Sequence, residues 1–184
     1  MATEIELKAH VRDSQIIKSL LHEKAEYVSS FKKEDIYWQE GHTRLRVRRE
    51  KRTLPDGTTQ SNCIATYKNK EVRDGIEINE EREFEVNPGP EFEEFLKRMG
   101  FTPDTWKRKT GWAFSREGIT AELAEVEGLG WFIELEILAA SGREETFAAE
   151  KKRLLDFLAI LGIEKEAIES RFYTEMLKDT TAGH

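Results

Sequence analysis

The sequence predicts an α+β fold: an eight-stranded antiparallel β-barrel, closed or nearly closed, with helices packed on its outside. Three observations point there. Apolar and polar residues alternate with period two over eight stretches, near residues 2–11, 27–39, 43–50, 62–69, 76–87, 104–115, 118–127 and 131–139. Helical periodicity is confined to a few segments. On several strands the face opposite the apolar one is ionic and largely of one sign. The 184 residues suit a single domain, read as 1–178, with a flexible tail at 179–184.

Taken in order, the first strand holds Glu4-Ile5-Glu6-Leu7-Lys8, with the charges on one face and Ile5 and Leu7 on the other. A helix over Asp13–Ala25 follows, with Asp13 and Ser14 as N-cap candidates and Ile16, Ile17, Leu20 and Leu21 on one side. In the third strand, Arg44, Arg46 and Arg48 share a face. Arg52–Ser61 reads as a loop around the turn residues Pro55-Asp56-Gly57. The next two strands carry Lys68, with Lys70 two residues on, and Glu81, Glu83 and Glu85. A helix over Pro90–Gly100 places Phe92, Phe95, Leu96 and Met99 at helical spacing and ends on glycine. Lys107 and Lys109 share a strand face, as do Glu134 and Glu136. A long helix over Glu144–Gly162 has the stripe Phe147, Leu154, Leu155, Leu158 and Leu161, and a short helix over Lys165–Leu177 follows.

Composition narrows the function. Charged residues make up 35%, well above the usual quarter, yet the net charge is −7, which argues against nucleic acid as a partner. The one cysteine, Cys63, allows no intrachain disulfide and reads as a small strand residue. No signal pattern opens the chain, and no apolar run nears the roughly 18 residues of a membrane span. The expectation is a cytoplasmic protein with no membrane partner; a homodimer is left open. The histidines lack the spacing of a zinc site, and neither a P-loop nor a dinucleotide-binding glycine motif is present.

Like charges two apart on a strand repel, so faces of one sign call for counter-ions. If the ionic faces line one lumen, the acidic strands can hold divalent cations and the basic strands can hold phosphate oxygens. Arginine forks match phosphate geometry, lysine supplies point charge, and Mg²⁺ or Mn²⁺ would bridge carboxylates to phosphate. The ligand this suits is a triphosphate.

The order of these blocks resembles a known family. Glu4-Ile5-Glu6-Leu7-Lys8 resembles the ExExK signature of the CYTH, or triphosphate tunnel metalloenzyme, superfamily. Asp35-Ile36-Tyr37, Leu45-Arg46-Val47-Arg48, Thr66-Tyr67-Lys68, Arg82-Glu83-Phe84-Glu85, Lys107-Arg108-Lys109, Gly128–Glu136 and Ser170-Arg171-Phe172-Tyr173 each resemble a later block. The likeness spans roughly residues 2 to 177 and is greatest to the class IV adenylyl cyclase branch.

The resemblance implies a metal-dependent enzyme acting on ATP, tripolyphosphate or thiamine triphosphate with Mg²⁺ or Mn²⁺. The leading expectation is ATP to cyclic AMP plus pyrophosphate. The alternatives are hydrolysis of inorganic, thiamine or nucleoside triphosphate, and non-catalytic polyphosphate or nucleotide binding. It implies Glu4, Glu6, Glu134 and Glu136 as metal ligands, and Lys8, Arg46 and Arg48 in the catalytic set. Lys68, Arg82, Glu83, Glu85, Lys107, Lys109, Arg171 and Tyr173 would contact substrate. One position departs: where the family commonly has an acid, this chain has Ala124. Either Glu122, two residues earlier on the same face, takes over as ligand, or the ligand is absent.

Overall fold

The computed structural model describes residues 3–73, 75–139 and 144–182 and, among these, all side chains except those of 68–71, 79–81, 144–145 and 181–182. The elements are β1 (Thr3–His10), α1 (Ser14–Lys24), β2 (Glu26–Glu40), β3 (Thr43–Thr53), β4 (Thr59–Arg73), β5 (Ile76–Glu85), α2 (Gly89–Arg98), β6 (Thr102–Arg116), β7 (Ile119–Val126), β8 (Gly130–Ala139), α3 (Glu144–Ile160), a 3-10 turn (Lys165–Ala167) and α4 (Tyr173–Ala182). The strands form a closed antiparallel barrel in the order β1-β5-β4-β3-β2-β6-β7-β8, as the alternation predicts. The ring closes at a short seam where Glu4, Ile5 and Glu6 of β1 face Asn79, Ile78 and Glu77 of β5.

The barrel is inside out relative to most small barrels, because its apolar strand faces point outward. Ile5, Leu7 and Ala9 of β1, Ala121 and Leu123 of β7, and Ile133, Leu135 and Ile137 of β8 are buried beneath helices. Those helices supply Ile17 and Leu21 of α1, and Leu154, Phe157 and Leu158 of α3, with Leu161 in the turn just after it. A second outer cluster joins Trp38 of β2 and Val47 of β3 to Leu96 of α2. Since successive side chains alternate, burying the odd residues of β1 outward turns Glu4, Glu6 and Lys8 into the lumen. Among the described residues, no helix is long and apolar enough to cross a membrane.

The local signals act as expected at α1, where the Asp13 side chain accepts hydrogen bonds from the Gln15 and Ile16 N–H groups at 3.0 and 3.1 Å. Three boundaries differ. The Arg52–Ser61 loop shrinks to five residues, because β3 and β4 stay paired out to Thr53 opposite Thr59. The turn is held by Gly57 N–H to Leu54 O at 3.0 Å and Thr58 N–H to Asp56 Oδ1 at 2.8 Å, with Gly57 at φ 84°. The expected helix at 165–177 is split. β1 continues past its seam with β5, and Ile168 bridges to Ala9 there, while Glu169 N–H donates to Lys8 O at 2.8 Å. That extended segment separates the 3-10 turn from α4. Finally, α4 runs to Ala182, so residues 179–182, expected in a tail, are helical.

Candidate functional site

A cavity of about 560 Å³ lies inside the barrel. One wall is acidic. Across it, Glu6 of β1 stands opposite Glu77 of β5 on one side and Glu136 of β8 on the other. In the next row, Lys8 stands opposite Glu134, which stands opposite Glu122 of β7. The facing wall is basic: Arg46 and Arg48 of β3, Lys33 of β2, and Lys107 and Lys109 of β6 line the same cavity. α4 closes one end. The Tyr173 ring lies 4.7 Å from the Lys8 ammonium, 4.9 Å from Lys107 and 5.9 Å from Lys109, and packs edge-on against Phe132. Lys178 ties α4 to Asp104 of β6 at 2.8 Å.

The two walls are stitched by ion pairs. Asp35 of β2, 1% exposed, receives both prongs of Arg48 at 2.7 and 2.9 Å and Lys107 at 3.0 Å. Burial opposes ionisation of Asp35, but the Arg48 and Lys107 charges outweigh it and hold the carboxyl well below its ordinary range. Lys109 bonds Glu134 and sits 3.2 Å from Glu122, while Lys33 bonds Glu122 and sits 3.5 Å from Glu50. Burial again works against both carboxylates. The ammonium charges prevail, drawing Glu122 down to about 2 and Glu134 lower still. Burial pushes the Tyr173 phenol well up, and the neighbouring Glu134 charge adds to this. Lys8 bonds Glu77 at 3.2 Å, and Arg46 reaches Thr66 and Glu83, each at 3.0 Å.

Most of the residues expected from the sequence meet here: Glu4, Glu6, Arg46, Arg48, Glu83, Lys107, Lys109, Glu122, Glu134, Glu136 and Tyr173 line the cavity. Lys8 is buried in its wall beneath Glu77. The side chain of Lys68 lies outside the described residues. Three expected substrate contacts are not in the cavity. Arg82 is one residue out of step with Glu83, so alternation puts it on the outer face opposite Tyr67. Glu85, on the same face of β5 as Glu83, is exposed and borders a separate groove beside α2 whose lining also includes Lys33, Glu50 and Lys109. Arg171 is exposed and forks onto Glu169, with Nη2 at 2.7 Å, outside the tunnel.

Lys33, Glu50 and Glu77 are site residues that the sequence reading passed over, and Asp35 and Tyr37 appeared in it only as a family block with no role assigned. Its criterion was strands of a single sign, and β2 carries a mixed face. The available signal was the alternation Lys33-x-Asp35-x-Tyr37 within an otherwise half-apolar strand.

Ala124 also faces inward, but into an apolar pocket with Phe31 and Ala113. It lies against Gly111, where an added Cβ would come within 2.7 Å of the Ala124 Cα. The position is buried against Phe31 and Ala113, and the nearby Lys33 ammonium, 4.5 Å from the Phe31 ring, is already engaged by Glu122 and Glu50. Ala124→Asp is therefore expected to destabilise the fold by about 3 kcal/mol, the scale for an uncompensated buried charge. That corresponds to a melting temperature lower by roughly 6–12 °C for a chain of this size. Mn²⁺ affinity should not improve. A thermal melt and a Mn²⁺ titration check this, and an unchanged melt with tighter metal binding would refute it.

The donor set fits a hard divalent cation. Glu4, Glu6 and Glu136 offer only oxygen and line one side of the cavity. Glu6 and Glu136 are directly opposite across β1 and β8, where side chains start about 5 Å apart and like charges destabilise unless a cation lies between them. Among the described residues no three acidic, His or Cys side chains already converge as a preformed cage.

Known proteins share this architecture. A Methanocaldococcus jannaschii protein named as a candidate adenylate cyclase is 27% identical over 181 residues, covering 94% of this chain and 97% of its own. A solved Pyrococcus horikoshii structure is 27% identical with a TM-score of 0.80, covering 96% of this chain and 98% of its own. A Hippeastrum protein, described as a candidate adenylyl cyclase with a dominant triphosphatase activity, shares the fold at 18% identity and a TM-score of 0.66, covering 100% of this chain and 96% of its own. Residues 2–173 match the family profile described as CYTH domain, and on that match the chain belongs to the CYTH domain family.

Proposed function

We propose that this chain is a divalent-metal-dependent enzyme acting on a triphosphate, and that its reaction is the conversion of ATP to cyclic AMP and pyrophosphate. The observation that carries the first part is the confrontation of a carboxylate wall with a guanidinium and ammonium wall across one cavity. CYTH tunnel proteins act on triphosphates and generally depend on divalent cations. The second part is supported by the name of the Methanocaldococcus jannaschii relative, which aligns over nearly its whole length.

In this reading Glu4, Glu6 and Glu136 hold the cation, which when bound supplies Lewis-acid charge to the phosphate oxygens. Arg46, Arg48, Lys107 and Lys109 grip those oxygens. Each of these four is held by a carboxylate or hydroxyl in the free protein, so its charged head is already positioned in the lumen wall before the triphosphate arrives. Little reorganisation of the basic wall is then needed on binding. Buried Lys8 fixes Glu77 beside Glu6 and so shapes the acidic row.

A triphosphatase is the second reading. The cavity lining is mostly charged, which suits a bare triphosphate at least as well as a nucleoside. The two reactions differ in which phosphorus meets which nucleophile: the ribose 3′-hydroxyl at the α-phosphorus, or water at the terminal one. The test is to incubate the protein with ATP and, separately, tripolyphosphate, each with Mg²⁺ or Mn²⁺, and identify the products. Cyclic AMP with pyrophosphate supports the cyclase. Orthophosphate without cyclic AMP supports the hydrolase. Binding of either ligand with no product would leave a polyphosphate-binding protein and refute both.

A further inference from the structure

We infer that the tunnel binds a single divalent cation, because the Lys33 and Lys109 ammonium groups occupy the place where a second would sit. The inference rests on the metal-dependent reading above, which already assigns Lys109 to the phosphate oxygens; Lys33 lies outside that assignment.

The acidic side of the lumen has two rows with different neighbours. The Glu6–Glu136 row faces the cavity. The Glu134–Glu122 row is met from across the lumen by Lys109, which bonds Glu134 and lies 3.2 Å from Glu122. Lys33 then bonds the other side of Glu122 and lies 3.5 Å from Glu50. Two ammonium groups thus join three carboxylates in a continuous chain, doing the bridging work a divalent ion would do. An ammonium has three donors and no acceptor, so it can link carboxylates but cannot help coordinate a metal.

Neither lysine is placed to swing aside. Lys33 is 5% exposed and Lys109 is 3% exposed. A second dication beside them would meet two fixed positive charges in a poorly solvated site, where repulsion is much larger than in water. The oxygen donor it would need is also missing. Ala124 presents a methyl group into the Phe31–Ala113 pocket, one interior position along β7 from Glu122. The fold has therefore filled the position with hydrocarbon and supplied the positive charge through lysine.

Mn²⁺ binding tests this directly. Titration calorimetry and electron paramagnetic resonance would be run with Mn²⁺ alone and with Mn²⁺ plus a non-hydrolysable imidotriphosphate. The expected result is one Mn²⁺ per chain and an uncoupled six-line spectrum in both. Two Mn²⁺ per chain, or a spin-coupled pair, would overturn the inference while leaving metal dependence standing. No Mn²⁺ at all would instead remove the metal-dependent reading and this inference with it. Lys33→Met, which keeps the apolar stem, leaves Glu50 and Glu122 without their shared ammonium. A second, weaker Mn²⁺ is expected to enter, with folding verified by thermal melt. A correctly folded variant that still binds one Mn²⁺ would refute the role of Lys33. If the variant does not fold, the wild-type stoichiometry decides alone.

Discussion

Glu6→Gln is expected to lower turnover about a thousand-fold while the melting temperature stays within about 2 °C of the parent. The rate effect follows from the several kcal/mol that a correctly held metal contributes to the transition state, at 1.36 kcal/mol per factor of ten. The stability effect follows from the register. Glu6 lies between Glu77 and Glu136, so the native protein bears the cost of like charges directly opposite one another. Replacing one of them with an amide relieves that repulsion and keeps the shape. The same substitution at Glu134 would be a poorer test, since it would also strip a buried partner from Lys109. Product formation at fixed Mg²⁺, a Mn²⁺ titration and a thermal melt together separate the two effects. Near-normal turnover at unchanged metal concentration would remove Glu6 from the metal site.

How much of this was legible in the sequence depended on whether the physics was local to one strand. Period-two alternation fixed the barrel class and sorted Glu4, Glu6 and Lys8 from Ile5 and Leu7, because a strand reveals its faces without knowledge of its neighbours. It could not say which face points inward, and that was supplied by the helical stripes needing an apolar surface to cover. Arg82 shows the opposite failure. It sits inside a block that resembles the family, yet the pleat sends it outward while Glu83 turns in. Asp35 was visible only as part of a motif. Its importance comes from Arg48, thirteen residues away across a hairpin, and Lys107 on the other neighbouring strand. Pairing of this kind is decided by register, which no single strand carries. Ala124 is the most instructive position. The missing acid could be seen, but the pocket of Phe31, Ala113 and Gly111 that makes its return costly could not.

Arg48→Met should cost about 3 kcal/mol at neutral pH, one of the largest losses available from a single lumen residue. Asp35 is buried, and Arg48 supplies two of its three close charged contacts, with Lys107 keeping the third. Removing one partner of a buried pair leaves a charge with inadequate compensation, for which 3–5 kcal/mol is usual, and the surviving Lys107 contact places this case at the lower end. The melting temperature should fall by roughly 6–12 °C. The pH dependence identifies the cause. The folded Asp35 carboxyl is held well below its ordinary value, so its stabilising effect is complete above the unfolded value of about 3.9 and is lost as pH falls toward the folded one. In the variant, protonation of Asp35 removes the poorly compensated charge. The gap between parent and variant should therefore narrow between pH 7 and pH 3 in urea melts. A second arm removes both charges: Asp35→Asn combined with Arg48→Met should recover part of the loss, giving a coupling energy of about 2 kcal/mol in a double-mutant cycle. A gap that stays constant with pH, together with additive single effects, would mean that Arg48 stabilises the barrel by packing and that the Asp35 ion pair is incidental.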